Sequence, residues 1–135
     1  MATKIQNYFY GLGRRKRSTA QVKLQTGKGN IVINGKTANE YFSSSKHIAH
    51  ILVQPFVALD LEASKYDISA KVSGGGTTGQ VEAIQLGLSK ALAILNVDYK
   101  PTLRRAELLG RDSRERERKK FGLRGARKKR QFTKR

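Results

Sequence analysis

Apolar and polar positions alternate in two clear stretches of the chain. Ala20, Val22 and Leu24 share one face of an extended segment, with Gln21, Lys23 and Gln25 on the other. Tyr66, Ile68, Ala70 and Val72 alternate in the same way with Asp67, Ser69 and Lys71. Successive side chains of a strand point to opposite faces, so each stretch predicts a half-buried strand. Ile31 and Ile33 predict a third strand after Thr26-Gly27-Lys28-Gly29-Asn30, a run of turn formers that predicts a hairpin with the first. Tyr8, Tyr10 and Leu12 predict either a further strand or the first half of the one ending at Leu24, broken by an irregular stretch at 13–18.

Elsewhere the period lengthens to that of a helix. Val81, Ile84, Leu88, Ala91, Leu92 and Leu95 recur three and four apart, which predicts a helix over about 78–95 with one apolar stripe. Thr77 and Gln80 have capping-box spacing, and Asn96 suits the stop. Ile48, Ile51 and Leu52 predict a shorter helix over 45–54 that ends before Pro55, with a turn of helix at 38–42 ahead of it. Pro101 suits a first helical position and Gly110 a position just past the end, which predicts a last helix over 102–109. Strands, helices, strand and long helix in that order give the α+β class: a small mixed sheet of about four strands, with helices packed on one face.

Charge divides the chain where the periodicity does not. Residues 1–39 carry eight Lys or Arg and no acid, residues 40–103 five against six acids, and residues 104–135 fifteen against four. The net charge of +18 therefore sits on two appendages of a near-neutral middle. Between Arg118 and Arg135 there are ten Lys or Arg and no acid. Such a segment has too few apolar groups to offset a backbone ordering cost of roughly 1–2 kcal/mol per residue, and needs a polyanion to order it. Its alternatives are a flexible leftover or an import-type signal. The expected organisation is a globular domain over 1–103 with a basic N-terminal segment, and an extension over 104–135. Within the extension, 111–120 predicts a short polar helix of i,i+4 ion pairs, and the last fifteen residues an extended chain.

The candidate chemistry is that of phosphate binding. Arg14-Arg15-Lys16-Arg17 follow Gly11-Leu12-Gly13 as four consecutive cations, which predicts an edge, loop or bulge meeting a polyanion. Ser73-Gly74-Gly75-Gly76-Thr77 joins a strand to a helix N-terminus, where backbone N–H groups can hold a phosphate; equally, the glycines serve a tight turn. The loop lacks the Gly-Lys-Ser/Thr of a nucleotide-hydrolysing P-loop. His47 and His50 have no Cys or further His to complete a metal site, and Ser44 and Ser45 no nucleophile elbow, so neither a catalytic site nor a cofactor is expected. No apolar run is long enough for a bilayer and the start lacks a secretory signal, so a soluble protein is expected.

Several stretches together resemble the small-subunit ribosomal protein nine family in its bacterial or organellar form. They are Tyr10-Gly11-Leu12-Gly13-Arg14-Arg15-Lys16, Ile31-Val32-Ile33-Asn34, Gln54-Pro55, Val72-Ser73-Gly74-Gly75-Gly76 with Gly79-Gln80, Arg111-Asp112 with Glu117-Arg118-Lys119-Lys120, and the ending Gln131-Phe132-Thr133-Lys134-Arg135. The resemblance implies a fold like the second domain of ribosomal protein five, with a left-handed β-α-β crossover against the usual hand. It further implies a structural, non-catalytic role in translation. The partners it implies are the small-subunit ribosomal RNA of the head, neighbouring head proteins and peptidyl-site transfer RNA, with no membrane and no small-molecule substrate. The implied location is the ribosome, in the cytoplasm or, for an organelle-encoded copy, in the organelle. Thr133 replaces the family's usual Ser, and Arg130 stands where many members have Pro.

Residues and resemblance lead to one set of sites. Ribosomal RNA contacts are expected at Arg14, Arg15, Lys16, Arg17, Gly74, Gly75, Gly76, Thr77, Arg111, Arg114, Arg118, Lys119, Lys120, Arg124, Arg127, Lys128, Lys129 and Arg130. The resemblance puts transfer RNA at Lys134 and Arg135. Two other readings fit parts of the pattern: a basic nucleic-acid accessory factor outside the ribosome, and a small phosphotransfer enzyme using the Gly74 to Gly79 loop.

Overall fold

The computed structural model describes residues 7–134. Five strands form one mixed sheet: β1 (Phe9–Arg15), β2 (Ser18–Thr26), β3 (Ile31–Ile33), β4 (Lys36–Thr37) and β5 (Tyr66–Ser73). Their order across the sheet is β1-β2-β5-β3-β4. Four helices complete the fold: α1 (Ala38–Tyr41), α2 (Lys46–Ala58), α3 (Thr77–Leu95) and α4 (Tyr99–Arg105).

The hairpin lies elsewhere than the turn formers suggested. β1 and β2 pair antiparallel with Arg15 opposite Ser18, so Lys16 and Arg17 make a two-residue turn. Lys16 takes the left-handed conformation (φ 52°), as such tight hairpins require. β2 and β3 do not pair, because β5 inserts between them, antiparallel to β2 and parallel to β3. The 27–30 turn is instead held by β5: the Asp67 carboxylate accepts from the N–H groups of Lys28 and Asn30, each at 2.9 Å. Inserting β5 gives Ile68 and Ala70 apolar neighbours on both sides, Leu24 and Val22 of β2 on one and Ile31 and Ile33 of β3 on the other, while Val72 faces Ala20. The β3-to-β5 connection carries α1 and α2, as a parallel pair requires.

Among the described residues, helices cover only one face of the sheet. The core gathers Ala20, Val22, Leu24, Ile33, Ile68, Ala70 and Val72 from the strands with Leu52 and Phe56 of α2 and Val81, Ile84, Leu88, Ala91 and Leu92 of α3. α3 lies directly on β1 through small residues. A Cβ added to Gly13 would sit 1.7 Å from the Ala83 carbonyl oxygen, and one added to Gly11 1.9 Å from that of Gly87. Gly11 and Gly13 thus serve close helix-on-strand packing, which explains their spacing of two. On the opposite face Gln21, Lys23, Ser69 and Lys71 remain exposed.

The helix ends depart from expectation for local reasons. α2 runs through Pro55 to Ala58 instead of stopping before it. A proline cannot donate to the carbonyl four residues back. Here Gln85 Nε2 of α3 donates to that Ile51 carbonyl instead, at 3.1 Å. α3 begins at Thr77 with Gly76 as its cap and no side-chain capping bond, so the capping box does not form; Gln80 Nε2 donates back to the Gly74 carbonyl. α4 spans Tyr99–Arg105, and Glu107, not Gly110, makes the left-handed exit (φ 59°). Leu108 N–H donates to Leu103 O and Glu107 N–H to Arg104 O, the paired bonds of a Schellman end. This ending folds Leu108 back toward Leu103, and both are buried.

Beyond Gly110 the polar helix over 111–120 is absent. Isolated ion pairs contribute too little to nucleate a helix, and here Asp112 pairs with Arg114 and Arg15, and Glu117 with Lys120 and the distant Arg127. Nor are the last fifteen residues uniformly extended. Leu123 and Lys129 form an antiparallel bridge, with Arg124 N–H donating to Lys128 O at 2.8 Å.

Candidate nucleic-acid interface

Alternation along β1 separates the four cations of the hairpin. Arg15 follows Gly11 and Gly13 on the α3 side, Arg14 points with Tyr10 and Leu12 to the open side, and Lys16 and Arg17 project from the tip. Arg15 is taken up inside the protein. Its Nε pairs with Glu82 Oε2 at 2.6 Å, Nη1 donates to the Arg114 carbonyl at 2.6 Å, and Nη2 lies 3.4 Å from Asp112 Oδ2. With its side chain only 13% exposed, Arg15 fastens the root of the tail to β1 and α3 rather than facing outward.

The glycine loop is built against the same hairpin. Gly74 and Gly75 both have positive φ (73° and 63°), a region open to glycine at little cost. A Cβ on Gly75 would lie 2.1 Å from Ser18 Oγ, and one on Gly74 2.5 Å from the Arg17 carbonyl oxygen. Ser18 Oγ donates to the Gly74 carbonyl at 3.0 Å. A polar relay holds the loop from the other side. The Asn34 side chain pairs with both backbone groups of Val72, Nδ2 donating to its carbonyl and Oδ1 accepting from its N–H. Tyr41 OH, in turn, donates to Gln80 Oε1 at 2.9 Å. Packing therefore accounts for Gly74 and Gly75 as glycines. Gly76 meets nothing within 4 Å at its Cβ position and, with Thr77, is exposed at the start of α3.

The tail folds back over this corner. Asp112 accepts from the Arg114 side chain (2.7 Å to Nη2) and backbone N–H (3.0 Å). These bonds, with Arg15 nearby, hold the Asp112 carboxyl far below the usual carboxylate range. Glu117 pairs with Lys120 and with Arg127, the latter at 3.0 Å.

A cavity of about 770 Å³ results, bounded by three parts of the chain distant in sequence. Lys16 and Arg17 of the hairpin tip form one wall, Gly75 and Gly76 at the start of α3 another, and tail residues 115–119 and 124–126 the third. Of the expected contact residues it brings together Lys16, Arg17, Gly75, Gly76, Arg118, Lys119 and Arg124. To these it adds Arg116, which sequence spacing had assigned to an intrahelical ion pair and so concealed. Six cations face two carboxylates there, and one of those, Glu117, already has two cationic partners.

Other expected residues lie apart from the cavity. Arg14 is on the open face; Arg111, Lys128, Lys129 and Arg130 are exposed along the tail; Arg114, Lys120 and Arg127 are committed to carboxylates. Lys134 is exposed at the end of the described chain, and Arg135 lies outside the described residues. Among the described residues no group of His, Asp and Glu could hold a metal ion, and no helix is long and apolar enough to cross a membrane. His47 and His50 are exposed on α2.

The model of the family described as ribosomal protein S9/S16 matches residues 13–135. The small ribosomal subunit protein uS9 of Cytophaga hutchinsonii is 51% identical over 124 residues, covering 92% of this chain and 95% of the relative. Proteins of the same name from Malacoplasma penetrans and Mycoplasmoides gallisepticum are each 50% identical over 127 residues, covering 94% of this chain and 96% of theirs. The match spans hairpin tip, glycine loop and tail alike, and on it the chain belongs to the ribosomal protein S9/S16 family, a family of structural rather than enzymatic proteins.

Proposed function

We propose that the chain is a structural component of the small ribosomal subunit that binds ribosomal RNA through the basic cleft and the tail beyond it. The observation that carries this reading is the convergence of Lys16, Arg17, Arg116, Arg118, Lys119 and Arg124 on one cavity beside the exposed start of α3. Cations from two parts of the chain far apart in sequence, hairpin tip and tail, repel one another unless a polyanion occupies the space between them. Phosphate contacts of this kind give affinity and register without reading sequence, as suits RNA recognised by shape. Gly76 and Thr77 supply backbone N–H groups at a helix N-terminus, and Arg111, Lys128, Lys129 and Arg130 continue the phosphate contacts along the tail, joined by Arg114, Lys120 and Arg127 when RNA phosphates replace their exposed carboxylate partners. Arg14 joins them from the hairpin, and Arg15 anchors the tail.

Two functional units follow: a globular part over 1–103, and an extension over 104–135 whose start packs on the core through Leu108 and whose remainder folds back to wall the cleft. The tip at Lys134 and Arg135 contacts peptidyl-site transfer RNA, and the globular part neighbours other proteins of the subunit head. The protein accordingly resides in the ribosome.

The deciding experiment is sedimentation in high-salt gradients. The full chain comigrates with small subunits, whereas a chain ending at Gly110 is lost from them; retention of the shortened chain overturns the role of the cleft and tail. Removing Lys134 and Arg135 leaves comigration intact and weakens transfer RNA binding in a filter assay, and unchanged binding overturns the role of the tip.

A further inference from the structure

Among the described residues the helices lie on one side of the sheet, and the side they leave open has an unusual composition. Tyr8 and Tyr10 are 47% and 42% exposed there, two residues apart on one edge of the sheet. Phe9 between them packs toward the core. The Lys23 ammonium lies 5.0 Å from the centre of the Tyr8 ring, and Lys23 is the register partner of Tyr10. In the next row Leu12, Gln21 and Lys71 stand side by side across β1, β2 and β5, and Arg14 closes the row beyond at the hairpin end. Asp67 is the one strand carboxylate on this face, and its charge is engaged by the N–H groups of Lys28 and Asn30. The face is therefore aromatic along one edge and cationic beside it.

We propose that this open face is a second RNA surface, a stacking platform for two or three unpaired nucleotides, distinct from the cleft. Side chains two apart on a strand stand about 6.6–6.8 Å apart along it, roughly twice the spacing of stacked bases, so Tyr8 and Tyr10 can each take the face of one base or hold a base between them. Lys23, Lys71 and Arg14 lie where the accompanying phosphates would run. Gln21 and Ser69 offer hydrogen-bonding groups to base edges between the rings and the cations. Sheets that bind single-stranded RNA by aromatic stacking use this combination. Charge decides against a protein as occupant. A dry protein interface over this face would bury three cations with one already engaged carboxylate, a costly desolvation, whereas RNA neutralises them. Arg14 sits one residue from Arg15 and next to the Lys16 and Arg17 tip, so a strand leaving the cleft passes directly onto the platform.

The inference takes RNA as ligand from the function proposed above, but not the cleft as its site, and the test separates the two. The full chain is titrated with a ten-nucleotide oligoadenylate over a range of salt concentrations, alongside the Y8L/Y10L, Y8F/Y10F and K16Q/R17Q/R116Q variants. Y8L/Y10L is expected to weaken binding about tenfold to a hundredfold with the salt slope unchanged, because stacking releases no counterions, while Y8F/Y10F binds as the parent does. K16Q/R17Q/R116Q is expected to flatten the salt slope. Photocrosslinking of a 4-thiouridine-substituted strand is expected to label Tyr8 or Tyr10. Unchanged affinity of Y8L/Y10L with crosslinks confined to the cleft overturns the platform and leaves the cleft standing. Absence of binding by the parent overturns both, and crosslinking of Tyr8 and Tyr10 to a neighbouring protein within small subunits, in place of RNA, overturns the platform.

Discussion

The hairpin tip and the tail are both runs of cations, yet the structure treats them differently. Between Arg14 and Arg17 the ladder of β1 and β2 assigns every side chain a direction: open face, helix side, tip and tip. Between Arg111 and Arg130 no ladder exists beyond one bridge, and direction comes from ion pairs with Asp112 and Glu117. Backbone hydrogen bonds inside a cooperative sheet fix geometry, whereas exposed ion pairs contribute about 0–1 kcal/mol and are screened by salt. The hairpin is therefore a pre-set half of the cleft and the tail an adjustable one. Arg15 joins them, since one guanidinium binds α3 and the tail root together.

The comparison can be broken most severely on the hairpin side. Replacing Gly13 with valine forces side-chain atoms into the Ala83 carbonyl and lifts α3 off β1. Overpacking of this kind against backbone is expected to cost about 3 kcal/mol or more, read as a lower urea midpoint; a midpoint unchanged from the parent contradicts the close packing. Breaking the joint comes next. Arg15→Ala strips Glu82 and Asp112 of a shared partner and is expected to cost about 1–3 kcal/mol, discounted toward the lower value because both carboxylates are partly exposed. Its sharper signature is faster proteolysis between Gly110 and Arg118 while the core stays resistant; equal cleavage rates would show that the tail is held by something else.

A smaller effect tests the support behind α2. Gln85→Ala leaves the Ile51 carbonyl without its donor above Pro55, and a loss of about 1 kcal/mol is expected in the same denaturation assay. Combining it with Pro55→Ala restores a backbone donor and should recover part of the loss; no recovery would separate the two residues.

The smallest effect is electrostatic. Hydrogen bonds from the Asn30 and Lys28 N–H groups hold the Asp67 carboxyl below its ordinary value. A depressed folded value means a stabilising contribution fully present above the ordinary carboxylate pKa of about 3.9, lost as the pH falls toward and through the lower folded value. Asp67→Asn should therefore lower stability slightly at neutrality and leave it less dependent on pH below about 4, so that variant and parent converge in acid. A parallel acid dependence in parent and variant would rule Asp67 out as a source.

Much of this was legible before folding was considered. The alternation of residues 20–25 and 66–72 matches the faces of β2 and β5, and the stripe from Val81 to Leu92 is the buried side of α3. What misled were signals whose outcome depends on remote partners. Pro55 reads as a helix stop until Gln85 supplies the missing donor, and the turn formers at 26–30 read as a hairpin until β5 captures both flanking strands. Arg116 reads as an intrahelical ion pair until the tail fails to become a helix and folds back over the glycine loop.

Local chemistry, then, was settled along the chain itself. Periodicity chose strand or helix, and the crowding of like charge at both ends demanded a polyanion, because these depend only on near neighbours in sequence. Which cations meet was decided in three dimensions. Register turned Arg15 inward and Arg14 outward, glycines at 11 and 13 set the distance to α3, and the return of the tail closed the cleft; each rests on contacts between residues far apart in the chain, to which no local pattern is sensitive.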